Sequence, residues 1–225
     1  RDVMSVKPDI IAEAGLQFFG RISASISHEL KNVLAIVNEN AGLLEDLTLM
    51  ADRGQPIDPA RLKKMAETVK KQIGRADEIL KNMNRFAHSG DEAVAEVDLN
   101  QTLELFMALT ERFRTMRGVE ADLQLSANPL SIATAPFFLM NLLCLCLDFA
   151  MSAGGEGKRI DLVVEETKSS VRIRFQQLAG LCEELMETFP TGRENRLLAV
   201  LAADLRAETG SGEMVLRLPK KIPLE

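Results

Sequence analysis

Two long apolar stripes near the start of the chain most constrain what it can fold into. The first runs from about Asp9 to Met50, and its apolar residues recur at spacings of three, four or seven, as on one face of a helix. Its members are Ile26, Leu30, Val33, Val37, Leu44 and Leu47. A second stripe follows Asp58 and Pro59, which suit the cap and the first position of a helix. Its members are Leu62, Met65, Val69, Ile73, Ala76, Leu80 and Met83.

A turn separates the two stripes, because residues 52–56 contain both a glycine and a proline. Two long helices joined by a short turn form an antiparallel hairpin. A lone hairpin buries only the contact between its own helices. Each fully buried aliphatic side chain contributes roughly 1.5–3 kcal/mol, which favours pairing of the stripes with a second copy. We therefore predict that residues 1–90 form a dimerisation hairpin and that the homodimer is a four-helix bundle.

The sequence changes character after residues 89–92, which mark the predicted domain boundary before a second domain at 91–225. Four helices are predicted in this domain. The first is 98–117, which ends at Gly118, and the second is an apolar helix that follows Pro129 and includes the run 136–151. The other two are 181–189 and 194–208. The predicted strands alternate in polarity and cover 119–125, 159–167, 170–177 and 213–218. This order predicts an α+β domain with a mostly antiparallel sheet packed on helices.

Composition excludes several classes of function. With 27 Lys and Arg against 33 Asp and Glu, the net charge of −6 disfavours a nucleic-acid surface. Two His and no Cys-x-x-Cys motif give no zinc pattern. Three cysteines are an odd number, and Cys144 and Cys146 lie in an apolar run, so we expect a reducing, cytoplasmic compartment. The run 136–151 is shorter than the roughly 20 residues of a membrane span and includes Asn141 and Asp148. We expect a buried helix there and no membrane contact by this segment.

The most informative string is Ser27-His28-Glu29-Leu30-Lys31-Asn32, within the first predicted helix. If Ile26 and Leu30 define the apolar face, His28 lies on the opposite face, with Asn32 one turn further along the same side. A neutral imidazole is a nucleophile, and a neighbouring carboxylate such as Glu29 can fix its tautomer. The alternative is an ordinary surface histidine.

This string resembles the phosphoacceptor box of sensor histidine kinases. The resemblance covers roughly residues 15–219, since the hairpin, the linker and the α+β domain follow in the same order. It implies that His28 is the phosphorylated residue, that Glu29 is the neighbouring acid or base, and that Asn32 positions water or orients the phosphoryl group. The family commonly has proline after this Asn, and here the residue is Val33, which weakens the expected helix kink.

The second domain of that family binds ATP, and the resemblance identifies three departures from its pattern. In the apolar helix Asn141 is kept, but Leu145 stands at the position of the magnesium-ligating Asn, and Asp148 replaces a Lys. The family's Asp-x-Gly-x-Gly stretch is Gln-Leu-Ala-Gly-Leu at 177–181. The segment 191–195 is too short for a nucleotide lid. Magnesium requires oxygen ligands, so we expect neither ATP nor a metal to be bound here.

These observations predict a histidine phosphotransferase of a bacterial two-component phosphorelay, built on a degenerate histidine-kinase-like scaffold. His28 would exchange phosphoryl groups with the aspartate of a response-regulator receiver domain, and the receiver would bring the Mg²⁺. The alternatives are a divergent ATP-dependent histidine kinase and a non-catalytic dimeric pseudokinase scaffold. Basic residues on the hairpin are expected to be solvated and to help meet an acidic receiver surface. They are Arg21, Lys31, Lys63, Lys64, Lys70 and Lys71.

Overall fold

The computed structural model describes residues 10–223 and begins with two long helices. They are α1 (Ile10–Asp52) and α2 (Pro59–His88). Asp9, where the first helix is predicted to begin, lies outside the described residues. The turn between the helices uses Gly54 in the left-handed region at φ 82°. The Asp58 carboxylate accepts a hydrogen bond from the Ala60 amide at 2.9 Å, and so caps α2 as the sequence predicts.

The described chain forms two compact units, and α1 contributes to both. One unit consists of Ile22–Arg85, and the other of residues 10–21 together with residues 86–223. The division between the two units therefore falls between Arg21 and Ile22, within α1.

The unit Ile22–Arg85 is a helical hairpin with an exposed apolar face. Its helices run antiparallel, and the Arg75 guanidinium of α2 lies 3.9 Å from the Glu29 carboxylate of α1. Side chains such as Val33, only 2% exposed, are buried in the hairpin. Other apolar side chains remain about half in solvent: Leu34 at 63%, Leu44 at 46%, Ile73 at 58% and Leu80 at 50%.

The other unit is α+β, as predicted. Its further helices are α3 (Leu99–Arg117), α4 (Pro136–Ala153), α5 (Glu183–Met186) and α6 (Gly192–Val200). Its strands are β1 (Ala95–Asp98), β2 (Glu120–Gln124), β3 (Ser131–Thr134), β4 (Arg159–Glu166), β5 (Ser170–Gln176), β6 (Asp204–Glu208) and β7 (Glu213–Pro219).

Five of these strands form one sheet in the order β2-β4-β5-β7-β6. The pair β2 and β4 is parallel, with Glu120 opposite Arg159, and the other neighbours are antiparallel. Strands β1 and β3 form a separate antiparallel pair. The mostly antiparallel sheet of the prediction is confirmed.

The core lies between one face of this sheet and the helices. The inward-pointing side chains of the three central strands are all buried: Ile160, Leu162, Val164, Val171, Ile173, Phe175, Met214, Leu216 and Leu218. Helix α4 is buried on most sides, as a helix that is apolar all round must be. By length and composition alone α4 is long and apolar enough to cross a membrane, yet 67% of it is buried within the fold.

Several predicted element boundaries are confirmed. The Asp98 carboxylate accepts from the Asn100 amide at 2.9 Å at the start of α3, and Gly118, at φ 64°, ends the helix in the left-handed conformation. Both central strands, β4 and β5, match their predicted positions within a residue.

Other predictions are wrong. The predicted helix 194–208 ends at Val200, and residues 204–208 form β6. In β6 the charged residues are exposed, whereas Leu205 and Ala207 are half-buried, and this alternation suits a strand paired with β7. The predicted helix 181–189 is reduced to α5, and β3 precedes α4 where a helix was expected directly after Pro129.

Candidate functional site

His28 lies in the middle of α1, on its solvent-facing side. Its neighbours Ile26 and Val33 are buried, whereas His28 and Asn32 are exposed. Because residues four apart lie one turn apart on the same helix face, the imidazole and the Asn32 amide share one exposed surface. The helix continues through Val33 without interruption, in agreement with the absence of a proline there.

Glu29 is less exposed than His28 and contacts the second helix of the hairpin. Its side chain is 15% exposed, and its carboxylate forms a long ion pair of 3.9 Å with Arg75 of α2. This charge therefore also ties the two helices of the hairpin together beside His28. Sequence reasoning did not identify Arg75, because the pairing depends on the register between two helices, which the apolar stripes alone do not fix.

The second histidine of the chain, His88, has a local partner. It is the last residue of α2, and its Nδ1 lies 2.8 Å from an oxygen of the Asp91 carboxylate. With its side chain 75% exposed, His88 serves as a natural control for His28 in labelling experiments.

Three residues of α4 were compared above with positions of an ATP-binding helix, and their environments differ. Asn141 is 2% exposed, and its Nδ2 has no hydrogen-bond partner among the described residues. Leu145 is half-buried and offers only hydrocarbon. Asp148 is 23% exposed and lies beside two arginines.

Asp148 is the centre of a charged cluster within its unit. Arg21 donates two hydrogen bonds to its carboxylate, one of them at 2.9 Å, and Arg117 approaches to 3.4 Å. The hydrogen bonds to Asp148 raise the pKa of Arg21 despite the opposing effect of burial. The Arg21 guanidinium also lies 4.2 Å from the centre of the Phe113 ring, a cation–π distance. The expectation that Arg21 is a solvated docking residue is therefore wrong, since it is half-buried and paired.

Two backbone hydrogen bonds connect the segment 177–181 to other parts of its unit. The Gly180 amide donates to the Ala153 carbonyl at the end of α4 at 2.7 Å, and the Leu178 amide donates to Gly212 at 3.0 Å. A Cβ on Gly180 would lie 3.1 Å from that Ala153 oxygen, a tight contact that glycine avoids. Gln177 has φ 69°, a conformation that side chains other than glycine adopt at a cost of about 1–3 kcal/mol.

The region before α6 also packs against α4. The rings of Phe149 and Phe189 stack with their centres 4.5 Å apart. At the start of α6, Thr191 and Glu194 form a capping box, and the Thr191 amide donates to the Glu194 carboxylate at 2.9 Å. Burial alone raises the pKa of Glu194, but the hydrogen bonds from Thr191 and backbone amides, with help from Arg193, outweigh it and hold the pKa below its ordinary value.

These residues do not fit a magnesium ion. Leu145 supplies no oxygen ligand, and the nearest carboxylate, Asp148, is engaged by two arginines. Among residues 10–223, no group of three or more His, Cys, Asp and Glu side chains is arranged to hold a metal ion. Burial raises the pKa of the Cys144 thiol to about 12 and raises that of Cys146 further, so neither is a thiolate ligand at neutral pH.

No family model and no curated protein matches the sequence. Solved structures similar to this chain include histidine kinases. The nucleotide-free catalytic domain of histidine kinase ThkA has a TM-score of 0.48 at 16% sequence identity, over 58% of this chain and 99% of that chain. The Acinetobacter baumannii histidine kinase AdeS has a TM-score of 0.48 at 12% identity, over 86% and 98% of the two chains. ThkA in complex with response regulator protein TrrA has a TM-score of 0.45 at 17% identity, over 91% and 63%. These likenesses are at low sequence identity.

Proposed function

We propose that this chain is a histidine phosphotransferase, in which His28 exchanges a phosphoryl group with the phosphorylated aspartate of a response-regulator receiver domain. The observation that carries the proposal is the exposure of His28 within the Ser-His-Glu-Leu-Lys-Asn string of α1. An acceptor for a group delivered by another protein must be accessible to that protein, and the fold leaves this ring in solvent.

In the transfer step, the lone pair of one imidazole nitrogen of His28 forms a bond to phosphorus. The bond between phosphorus and the aspartate oxygen of the receiver breaks, and the aspartate leaves as a carboxylate. The other ring nitrogen of His28 keeps its proton. In this proposal Asn32, on the same helix face, would donate a hydrogen bond to a phosphoryl oxygen, and Glu29, the next residue along the chain, would act as the neighbouring acid or base. The step is reversible because a phosphoramidate N–P bond forms as the O–P bond of an acyl phosphate breaks, with no other reactant.

A direct source of phosphoryl groups from ATP is disfavoured by the chemistry of the second unit. The segment 177–181, which by the family resemblance would approach a nucleotide, is hydrogen-bonded to the end of α4 through Gly180. Leu145 lacks an oxygen for magnesium, and Asp148 is paired with Arg21. A phosphotransferase needs none of these groups, because its phosphoryl donor is another protein.

The functional form in this proposal is a homodimer. The half-exposed Leu34, Leu44, Ile73 and Leu80 give the hairpin an unpaired apolar face, and a second copy would cover it in a four-helix bundle. The exposed lysines of α2 then supply positive charge along the hairpin that carries His28, which suits an acidic receiver surface.

The test uses labelled phosphate and the whole chain. The protein is incubated with radiolabelled ATP and Mg²⁺, and separately with a panel of receiver domains phosphorylated on aspartate. We expect label to reach the protein only from a phosphorylated receiver, as an acid-labile, base-stable adduct. His28→Ala should abolish this label, whereas His88→Ala should retain it.

Two outcomes favour the alternatives. Label acquired from ATP alone, and lost in His28→Ala, supports a divergent histidine kinase. A receiver that binds the chain equally well with His28→Ala and never transfers label supports a non-catalytic scaffold.

A further inference from the structure

Two arginines face each other across the central strands on the outer side of the five-stranded sheet. Arg172 of β5 is directly opposite Arg217 of β7 in the antiparallel register. The residues beside them along each strand are buried in the core, so both guanidinium groups point away from it, and both residues are exposed. Like charges directly opposite each other in an antiparallel pair destabilise a sheet.

Neither arginine is neutralised by an acidic partner among residues 10–223. Arg172 has no ion pair there, and Arg217 donates only to the neutral hydroxyl of Ser170, at 3.2 Å from its Nε. The other arginine of β5 on this face, Arg174, contrasts with them, because it is paired with both Glu165 and Glu213.

The carboxylates that flank the pair are engaged by other arginines. In the register of the sheet, Glu165 lies beside Arg172, and Asp204 lies beside Arg217. Glu165 accepts a hydrogen bond from Arg174 at 2.6 Å, and Asp204 accepts one from Arg206 at 2.8 Å. The row across four strands therefore reads acid, base, base, acid, and neither of its two central arginines forms an ion pair with the carboxylate beside it.

A groove lies along this part of the sheet. It has a volume of about 320 Å³, and its lining contains four arginines and four carboxylates, namely Arg172, Arg174, Arg206 and Arg217 with Glu165, Asp204, Glu208 and Glu213. A second groove of about 250 Å³ adjoins the first at Asp204 and Arg217 and is lined by Ser169 and Ser170. The two arginines thus stand beside open space large enough for a small anion and its hydrogen-bonding waters.

We infer that Arg172 and Arg217 form a binding site for a phosphate dianion on the outer face of the sheet, separate from His28. A guanidinium group presents two parallel donors, and two such forks match the several oxygens and the double charge of a phosphate group. A single carboxylate would neutralise only one of the two arginines. The bound dianion would also turn a repulsive cross-strand pair into a bridged one. This inference does not depend on the phosphotransfer proposal, because it involves a different surface and a different unit.

The test is a binding titration of the whole chain with inorganic phosphate at neutral pH and constant ionic strength, with sodium chloride as the matched salt. Glycerol phosphate in a parallel titration distinguishes a free phosphate from a phosphomonoester. Arg172→Gln should weaken phosphate binding about tenfold or more, as expected for the loss of a charge-assisted pair of hydrogen bonds. Arg196→Gln, at an exposed arginine of α6, is the matched control and should bind phosphate as the wild type does.

Arg172 makes no side-chain hydrogen bond or ion pair among residues 10–223, so Arg172→Gln should fold normally. Arg172→Lys keeps the charge and should bind with intermediate affinity. Binding of both ligands supports a phosphomonoester site, and binding of inorganic phosphate alone supports a free-phosphate site. Equal effects of phosphate and chloride overturn the inference, as does Arg172→Gln binding phosphate as tightly as the wild type. Neither result would bear on labelling of His28.

Discussion

Replacing Phe86 by alanine tests the aromatic cluster that holds the start of α1 against the end of α2. Phe86 is fully buried, with 0% exposure, and belongs to the same compact unit as its ring partners. The centre of its ring lies 5.4 Å from that of Phe18, 5.6 Å from Phe19 and 5.9 Å from Phe137. These contacts join the end of α2, the start of α1 and the first turn of α4.

The expected cost follows from this environment. Truncating a fully buried phenylalanine to alanine removes about 3–5 kcal/mol of unfolding free energy, through lost apolar burial and the cavity that remains. Each aromatic pair adds about 0.5–1.5 kcal/mol beyond burial, so we expect Phe86→Ala to lie toward the upper end. For a chain of this size the melting temperature should fall by roughly 10 °C or more.

The measurement is urea unfolding followed by far-ultraviolet circular dichroism, because the chain contains no Trp or Tyr for fluorescence. Met116→Ala is the control, since Met116 is 70% exposed in the same unit and should change the unfolding free energy by less than about 0.5 kcal/mol. A loss of less than about 1 kcal/mol in Phe86→Ala would refute the reasoning, because it would show that this ring cluster does not hold the ends of the helices.

Two further predictions concern the cap of α6 and the apolar face of the hairpin. Since the pKa of Glu194 is held below its ordinary value in the folded chain, its stabilising effect is present above the unfolded pKa of about 4.3 and is lost as the pH falls through the folded value. Glu194→Gln should therefore cost ~1 kcal/mol at pH 7, and thermal melts at decreasing pH should show that cost shrinking below about pH 4; a cost independent of pH would contradict it. The double variant Ile73→Asp and Leu80→Asp should convert a dimer to a monomer in analytical ultracentrifugation, because it places charges on the half-exposed apolar face. Ala35→Asp, at an exposed position two turns after His28, should leave the dimer intact, and a wild type that sediments as a monomer would refute the pairing.

Local signals in the sequence predicted the elements that depend on neighbouring residues. Pro59 and Gly118 set helix boundaries where the structure has them, because each acts through its own backbone conformation. The outward position of His28 followed from helical periodicity alone. The roles of His28, Glu29 and Asn32 in chemistry stay predictions, which the labelling experiment tests.

Features that depend on distant residues could not be predicted. Arg21 and Asp148 are 127 residues apart, and no local pattern indicates that they pair. The segment 204–208 combines charged residues with good helix formers, and only its pairing with β7 decides that it is a strand. The short strands β1 and β3 likewise form only because they pair with each other, and they lie some 35 residues apart in the sequence.

The close approach of Phe18 and Phe86 has a consequence for how this protein can vary in length. Because these rings are in contact, Phe18 of α1 and Phe86 of α2 are held close together within one unit. The helical segment between them, Ile22–Arg85, therefore begins and ends at neighbouring points. Adding or removing equal numbers of helical turns in α1 and α2 between these two residues would change the length of the hairpin and leave the Phe18–Phe86 contact as it is. The length of the hairpin is therefore a dimension that evolution or an engineer can adjust without altering the sheet.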